Sequence, residues 1–119
     1  MIGFTNNVRI FLALEPCDMR KSFNGLMGLS EQMHPSALRS GALLVFSNKR
    51  RNRLKLIYFD RTGICILAKR LEAGTFHWPK PSSKDKPSLS LTPEALHLLL
   101  DGVDLRGAQM RPWYERGEG

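Results

Sequence analysis

Residues 41–71 constrain the fold most. Three apolar runs, "ALLVFS" (42–47), "RLKLIYFD" (53–60) and "GICILAKRL" (63–71), are rich in branched and aromatic side chains. They are separated only by "NKRRN" and "DRTG". Side chains of this kind suit a pleated surface, and connections this short join neighbouring antiparallel strands, so the economical reading is a meander.

Upstream, "VRIFLALEP" places Val8, Ile10, Leu12 and Leu14 on one face of an extended segment, and Pro16 ends the pairing because it has no N–H to donate. Asp18 is suited to cap a following helix in which Met19, Phe23, Leu26, Met27 and Met33 recur near helical spacing, closed by His34-Pro35. Gly25 and Gly28 are costly inside that helix unless a strand backbone comes close there. After the meander, "EAG" turns the chain into "TFHWP", read as a further strand from Thr75 to Trp78 that Pro79 stops. A second helix is signalled by Thr92 as N-cap, Pro93 at its first position, Glu94 in its first turn and Gly102 past its end. Leu96, Leu99, Leu100 and Val103 supply its buried stripe.

These elements predict an α+β fold: an antiparallel sheet of about five strands in β-α-β-β-β-β-α order, with helices packed on one face. The 119 residues fit a single domain, expected over 1–105, large enough to fold without disulfide or metal. Residues 79–88, "PKPSSKDKPS", contain no apolar side chain other than proline and are expected to form a mobile loop. Residues 106–119 form an aperiodic tail, ordered only where Trp113 or Tyr114 docks.

Lys and Arg outnumber Asp and Glu by 18 to 11, a net charge of +7, and the pI is near 9.9. Such a field favours polyanions. Neither a membrane span nor a signal peptide is legible, so the expectation is a cytoplasmic protein without a membrane partner. Cys17 and Cys65, 48 residues apart and outside any CxxC spacing, read as small hydrophobes in a reducing compartment.

The charge is densest at one place. Lys49, Arg50, Arg51, Arg53 and Lys55 fall within seven positions. If Asn48 to Asn52 form a hairpin tip, repulsion splays the side chains outward, while Arg53 and Lys55 continue the charge along one face of the next strand. A cationic ribbon of this kind can reach phosphates on either side of a nucleic-acid groove. The plainer alternative is a solvated hairpin whose charge maintains solubility and guards a strand edge. Arg20, Lys21, Lys69 and Arg70 are further candidates for the same contact. Lys80 joins Lys69 and Arg70 around Phe76, His77 and Trp78, an interleaving that can stack on bases, although such aromatics more commonly belong to a core.

No catalytic or cofactor pattern accompanies this charge. His34, His77 and His97 lie in separate elements with no HxxxH or HExxH spacing. Asp18, Asp60, Asp101 and Asp104 are accounted for as a cap, a turn and the end of a helix, and GxSxG, GxxxxGK[ST] and GxGxxG are all missing. A non-enzymatic protein without metal or cofactor is expected; a small metal-dependent nuclease built on Asp18 or Asp60 ranks last.

The segments "VRIFLALEPCDMRKSFNGL" (8–26), "GALLVFSNKRRNRLKLIYFDRTGICILAKRLEAGTFHWP" (41–79) and "LTPEALHLLLDGVDL" (91–105) together resemble the short TnpB-type accessory protein of bacterial insertion sequence family 66, unrelated to the RNA-guided nuclease of that name. Asn24, where Asp is common in the family, and Ala68, where an aromatic is usual, depart from its pattern. The resemblance implies a non-catalytic part in transposition, with strand transfer carried out by the element's large transposase. DNA, held by its backbone, and that transposase are the expected partners. The alternative is an interaction module that docks the transposase through its C-terminal helix or the 79–88 loop, without touching DNA.

Overall fold

The computed structural model describes residues 7–80 and 86–102. Its elements are β1 (Ile10–Ala13), α1 (Phe23–Met33), β2 (Leu43–Ser47), β3 (Arg53–Phe59), β4 (Ile64–Arg70), β5 (Ser88–Leu91) and α2 (Pro93–Leu100). The α+β class and the five strands agree with the sequence reading, and the sheet runs β4-β3-β2-β1-β5.

Three expectations are corrected. The sheet is mixed, because β1 and β2 pair in parallel, with Ile10 opposite Leu43 and Leu12 opposite Val45. Parallel neighbours need a crossover, and the α1 segment supplies it. The helices also lie on opposite faces. Ile10, Leu12, Leu43, Val45, Leu54 and Leu56 share a core with Ala95, Leu96, Leu99 and Leu100 of α2. Ala13, Leu44, Phe46 and Ile57 share another with Leu26 of α1. The unalternating run "LLVF" is the cause: side chains point to both faces, so both must be covered.

The third correction concerns the fifth strand. Residues 75–78 join no ladder, and Trp78 N–H turns back to the Phe76 carbonyl at 3.0 Å, whereas Ser88–Leu91 pairs antiparallel with β1. Phe76 is 2% exposed and donates its N–H to the Arg51 carbonyl at 2.7 Å; the Trp78 indole donates to the Ala13 carbonyl at 2.9 Å. The segment thus closes one end of the sheet and spends its polar groups there. Chain order is restored by Pro87, whose carbonyl accepts from Leu14 N–H at 3.0 Å. The central residues of the 79–88 loop, Val103, and the 106–119 tail with Trp113 and Tyr114 lie outside the described residues.

The caps divide. Thr92 accepts from Ala95 N–H at 3.1 Å, as its position before Pro93 implies. Asp18 caps nothing: α1 starts after Ser22, which makes no side-chain cap bond. Nor does a strand approach the α1 glycines. A Cβ on Gly25 would meet the Lys21 side chain at 3.0 Å, and one on Gly28 would meet nothing within 4 Å.

Candidate nucleic-acid interface

The turn from β2 to β3 is clasped by two asparagines. Asn48 Oδ1 accepts from the N–H groups of Asn52 and Arg53, both at 3.1 Å, and its Nδ2 donates to Asn52 Oδ1 at 2.7 Å. This clasp leaves Lys49 and Arg50 exposed at the tip. Arg51 takes the left-handed conformation, φ 60°, which reverses the chain and sends its side chain inward. Its guanidinium donates to the Leu14 carbonyl at 2.9 Å and lies 5.2 Å from the Trp78 ring centroid. Burial lowers its pKa. Arg51 is therefore a clamp between β1, the turn and the 75–78 segment, and it does not belong to the expected cationic ribbon.

The ribbon itself is also restricted. β2 and β3 are interior strands, flanked by β1 and β4, so no free two-stranded hairpin exists to enter a groove. What remains is a basic surface on one face of β3 and β4. Arg53 stands directly opposite Arg70, and Lys55 opposite Ala68. By the alternation of the strands these four share the α1 face with Ile57 and Ile66. Arg53 and Arg70 are exposed, and Lys55 donates its ammonium to the Lys21 carbonyl at 2.9 Å, leaving the Lys21 side chain in solvent.

Two sequence candidates are diverted. Lys69 belongs to the opposite face, where its Nζ donates to the Leu100 carbonyl at the end of α2, 2.6 Å away. Arg20 forms an ion pair with Asp18 at 2.8 Å. Hydrogen bonding from Arg20 holds the Asp18 carboxyl down to about 2. It is the one salt bridge among the described residues, so Arg50, Arg53, Lys55 and Arg70 are left without a carboxylate partner.

These four cations border two adjoining grooves. One, of about 430 Å³, lies over Arg53, Lys55, Ala68 and Arg70. The next, of about 350 Å³, runs past Asn48 and Arg50 to Arg20. Met19 and Arg53 line both, which makes them one track. The contributions of Met19 and Ala68 escaped the sequence reading; the cross-strand register places Ala68, and nothing local signals Met19.

The remaining candidates fall into structural roles. The aromatic segment offers no exposed stack: Phe76 is core, and Trp78 sits between Ala13 and Arg51. Asp60 is occupied by its own turn, accepting from Thr62 and Gly63 N–H at 3.1 Å. His34 stacks on Phe11 at 3.8 Å and its Nε2 meets Ser88 Oγ at 2.7 Å. Cys17 and Cys65 are unpaired thiols, each partly exposed, and burial raises the pKa of Cys17. Among the described residues no three His, Cys, Asp or Glu side chains come together as a metal site would require, and no helix is long and apolar enough to cross a membrane.

Comparisons with known proteins place the chain in a family. The chain is 36% identical over 112 residues to the uncharacterized protein y4jC of Sinorhizobium fredii, covering 94% of this chain and 93% of the relative. It is 34% identical over 110 residues to y4hO of the same organism, covering 92% of each. No solved structure gives a significant match. Residues 8–110 match the family described as IS66 Orf2-like protein, which takes in every residue of the basic track, and the chain belongs to that family of insertion-sequence accessory proteins.

Proposed function

We propose that this protein serves transposition by holding DNA through its sugar-phosphate backbone, using the track from Arg50 through Arg53 and Lys55 to Arg70, with Lys49 and Lys21 beside it. One observation carries the reading: Arg50, Arg53, Lys55 and Arg70 border one continuous surface and none has a carboxylate partner among the described residues, Lys55 bonding only the Lys21 carbonyl. Phosphates would replace the counterions that these four must otherwise gather. The track has no fixed array of donors and acceptors to match base edges, so the contact is a positioning one.

If about four phosphates are neutralised, log affinity falls against log salt with a slope of roughly −3.6. Titrating salt against element ends and random duplex of equal length tests this. A flat dependence would refute backbone binding.

Docking to the large transposase is a second reading, favoured by β4, which pairs on one side only among the described residues. Ile64, Cys65, Ile66 and Leu67 are only half-buried there, and no proline, charge or bulge interrupts them. The apolar stripe of α2, expected to serve this purpose, is consumed by the core. Co-purification with the transposase that survives nuclease treatment supports docking; loss of the complex on digestion leaves DNA as the bridge.

A further inference from the structure

We propose that the notch over Ala68 receives one unpaired base of a DNA strand whose phosphates lie on Arg53, Lys55 and Arg70. The inference rests on the backbone reading above and adds a preference for unpaired over duplex DNA.

The argument starts from an unfavourable pair. Arg53 and Arg70 are direct cross-strand partners on one face, which holds their Cβ atoms about 4.5–5.5 Å apart. Like charges so placed repel, and Lys55 adds a third on the same face, one pleat further along. Among the described residues no carboxylate pairs with any of them. A bound anion at this spot turns the repulsion into attraction.

A phosphate alone would use the rim and leave the groove empty. The α1 layer covers Ile64 and Ile66 of β4 but stops short of Ala68, which is exposed. The result is a depression of about 430 Å³ with the Ala68 methyl and the half-buried Met19 thioether on its surface. That volume lies in the range of pockets that hold small ligands, roughly 300–1,000 Å³. The small apolar patch of Ala68 and Met19 within a cationic rim matches the amphiphilic character of a nucleotide. The flat base lies against methyl, thioether and guanidinium planes, and the phosphodiester stays at the edge. A base in duplex stacking cannot present its face, so the notch selects a strand in which a base is free.

Three labelled probes of equal length decide this by anisotropy: a single strand, the same strand with abasic sugars, and a blunt duplex. The natural strand should bind about tenfold more tightly than the abasic one, the scale of one stacked base. Ala68→Trp fills the notch from an exposed position; it should abolish this difference, with an unchanged melting temperature confirming the fold. Equal binding of natural and abasic strands by the unaltered protein would overturn the notch while backbone binding stands. An undiminished preference in Ala68→Trp would overturn its location. If none of the three probes binds, the backbone reading falls and the notch with it.

Discussion

The Arg51 guanidinium lies 5.2 Å from the Trp78 ring centroid while donating to the Leu14 carbonyl at 2.9 Å, so the middle residue of the most basic stretch in the chain is a structural clamp. Its neighbour Arg50, one position earlier, is exposed and its side chain makes no hydrogen bond or ion pair among the described residues. Sequence adjacency therefore hides a division of labour that substitution can expose.

Arg51→Ala removes a hydrogen bond from a charged donor and the contact with Trp78, and should destabilise the fold by about 1–2 kcal/mol. For a domain of this size, that lowers the melting temperature by roughly 5–10 °C. Arg50→Ala should stay within about 0.5 kcal/mol of the parent. DNA affinity should respond in the opposite order once both proteins are measured well below their melting temperatures. Equal thermal shifts for the two variants would contradict the clamp.

Arg53 and Arg70 face one another, and among the described residues no acid pairs with either. Replacing both with Gln should make the salt dependence of DNA binding shallower by roughly 1.8 in slope. Stability should hold or rise by about 0.2–1 kcal/mol, because the like-charge cross-strand pair is gone. A marked drop in melting temperature would mean that the pair is engaged in holding the sheet together.

Burial, together with the positive charge of Arg9, keeps the pKa of His34 below its ordinary value. The folded protein thus holds this imidazole neutral more strongly than the unfolded chain does. Its contribution to stability is complete above the ordinary value of about 6.5 and is lost as pH falls from there towards the lower folded value. The melting temperature should accordingly decline between pH 7.5 and 5.5, and less so in His34→Gln. Identical pH profiles for the two proteins would place the sensitivity elsewhere.

Thr92 and Asp18 both stand where a helix cap is expected from sequence, yet only Thr92 makes the bond, to Ala95 N–H at 3.1 Å. Thr92→Ala should cost about 1 kcal/mol. Asp18→Ala should leave the melting temperature near that of the parent, because the carboxylate is exposed and serves only Arg20 and its own turn. Thermal denaturation of the two variants side by side checks the contrast.

What the sequence determined by itself was local. Branched runs became β2, β3 and β4, the Thr-Pro-Glu sequence opened α2, and the density of Lys and Arg around 49–55 marked the charged end of the sheet. Each follows from period, turn chemistry or composition, which act over a few residues. The family kinship was also legible there, in motifs spread over most of the chain.

Tertiary structure decided the rest. The parallel pairing of β1 with β2, the placement of the helices on opposite faces and the choice of 88–91 over 75–78 as the fifth strand all depend on which apolar surface finds a partner far along the chain. The fate of each cation was settled in the same way. Arg51 turned inward because Leu14 and Trp78 were waiting, and Lys69 was drawn to the end of α2, while Arg53, Lys55 and Arg70 gathered around Ala68 only through the cross-strand register. Charge is a property of the residue, but whether it is neutralised is a property of its neighbours, and those are fixed by packing over long range.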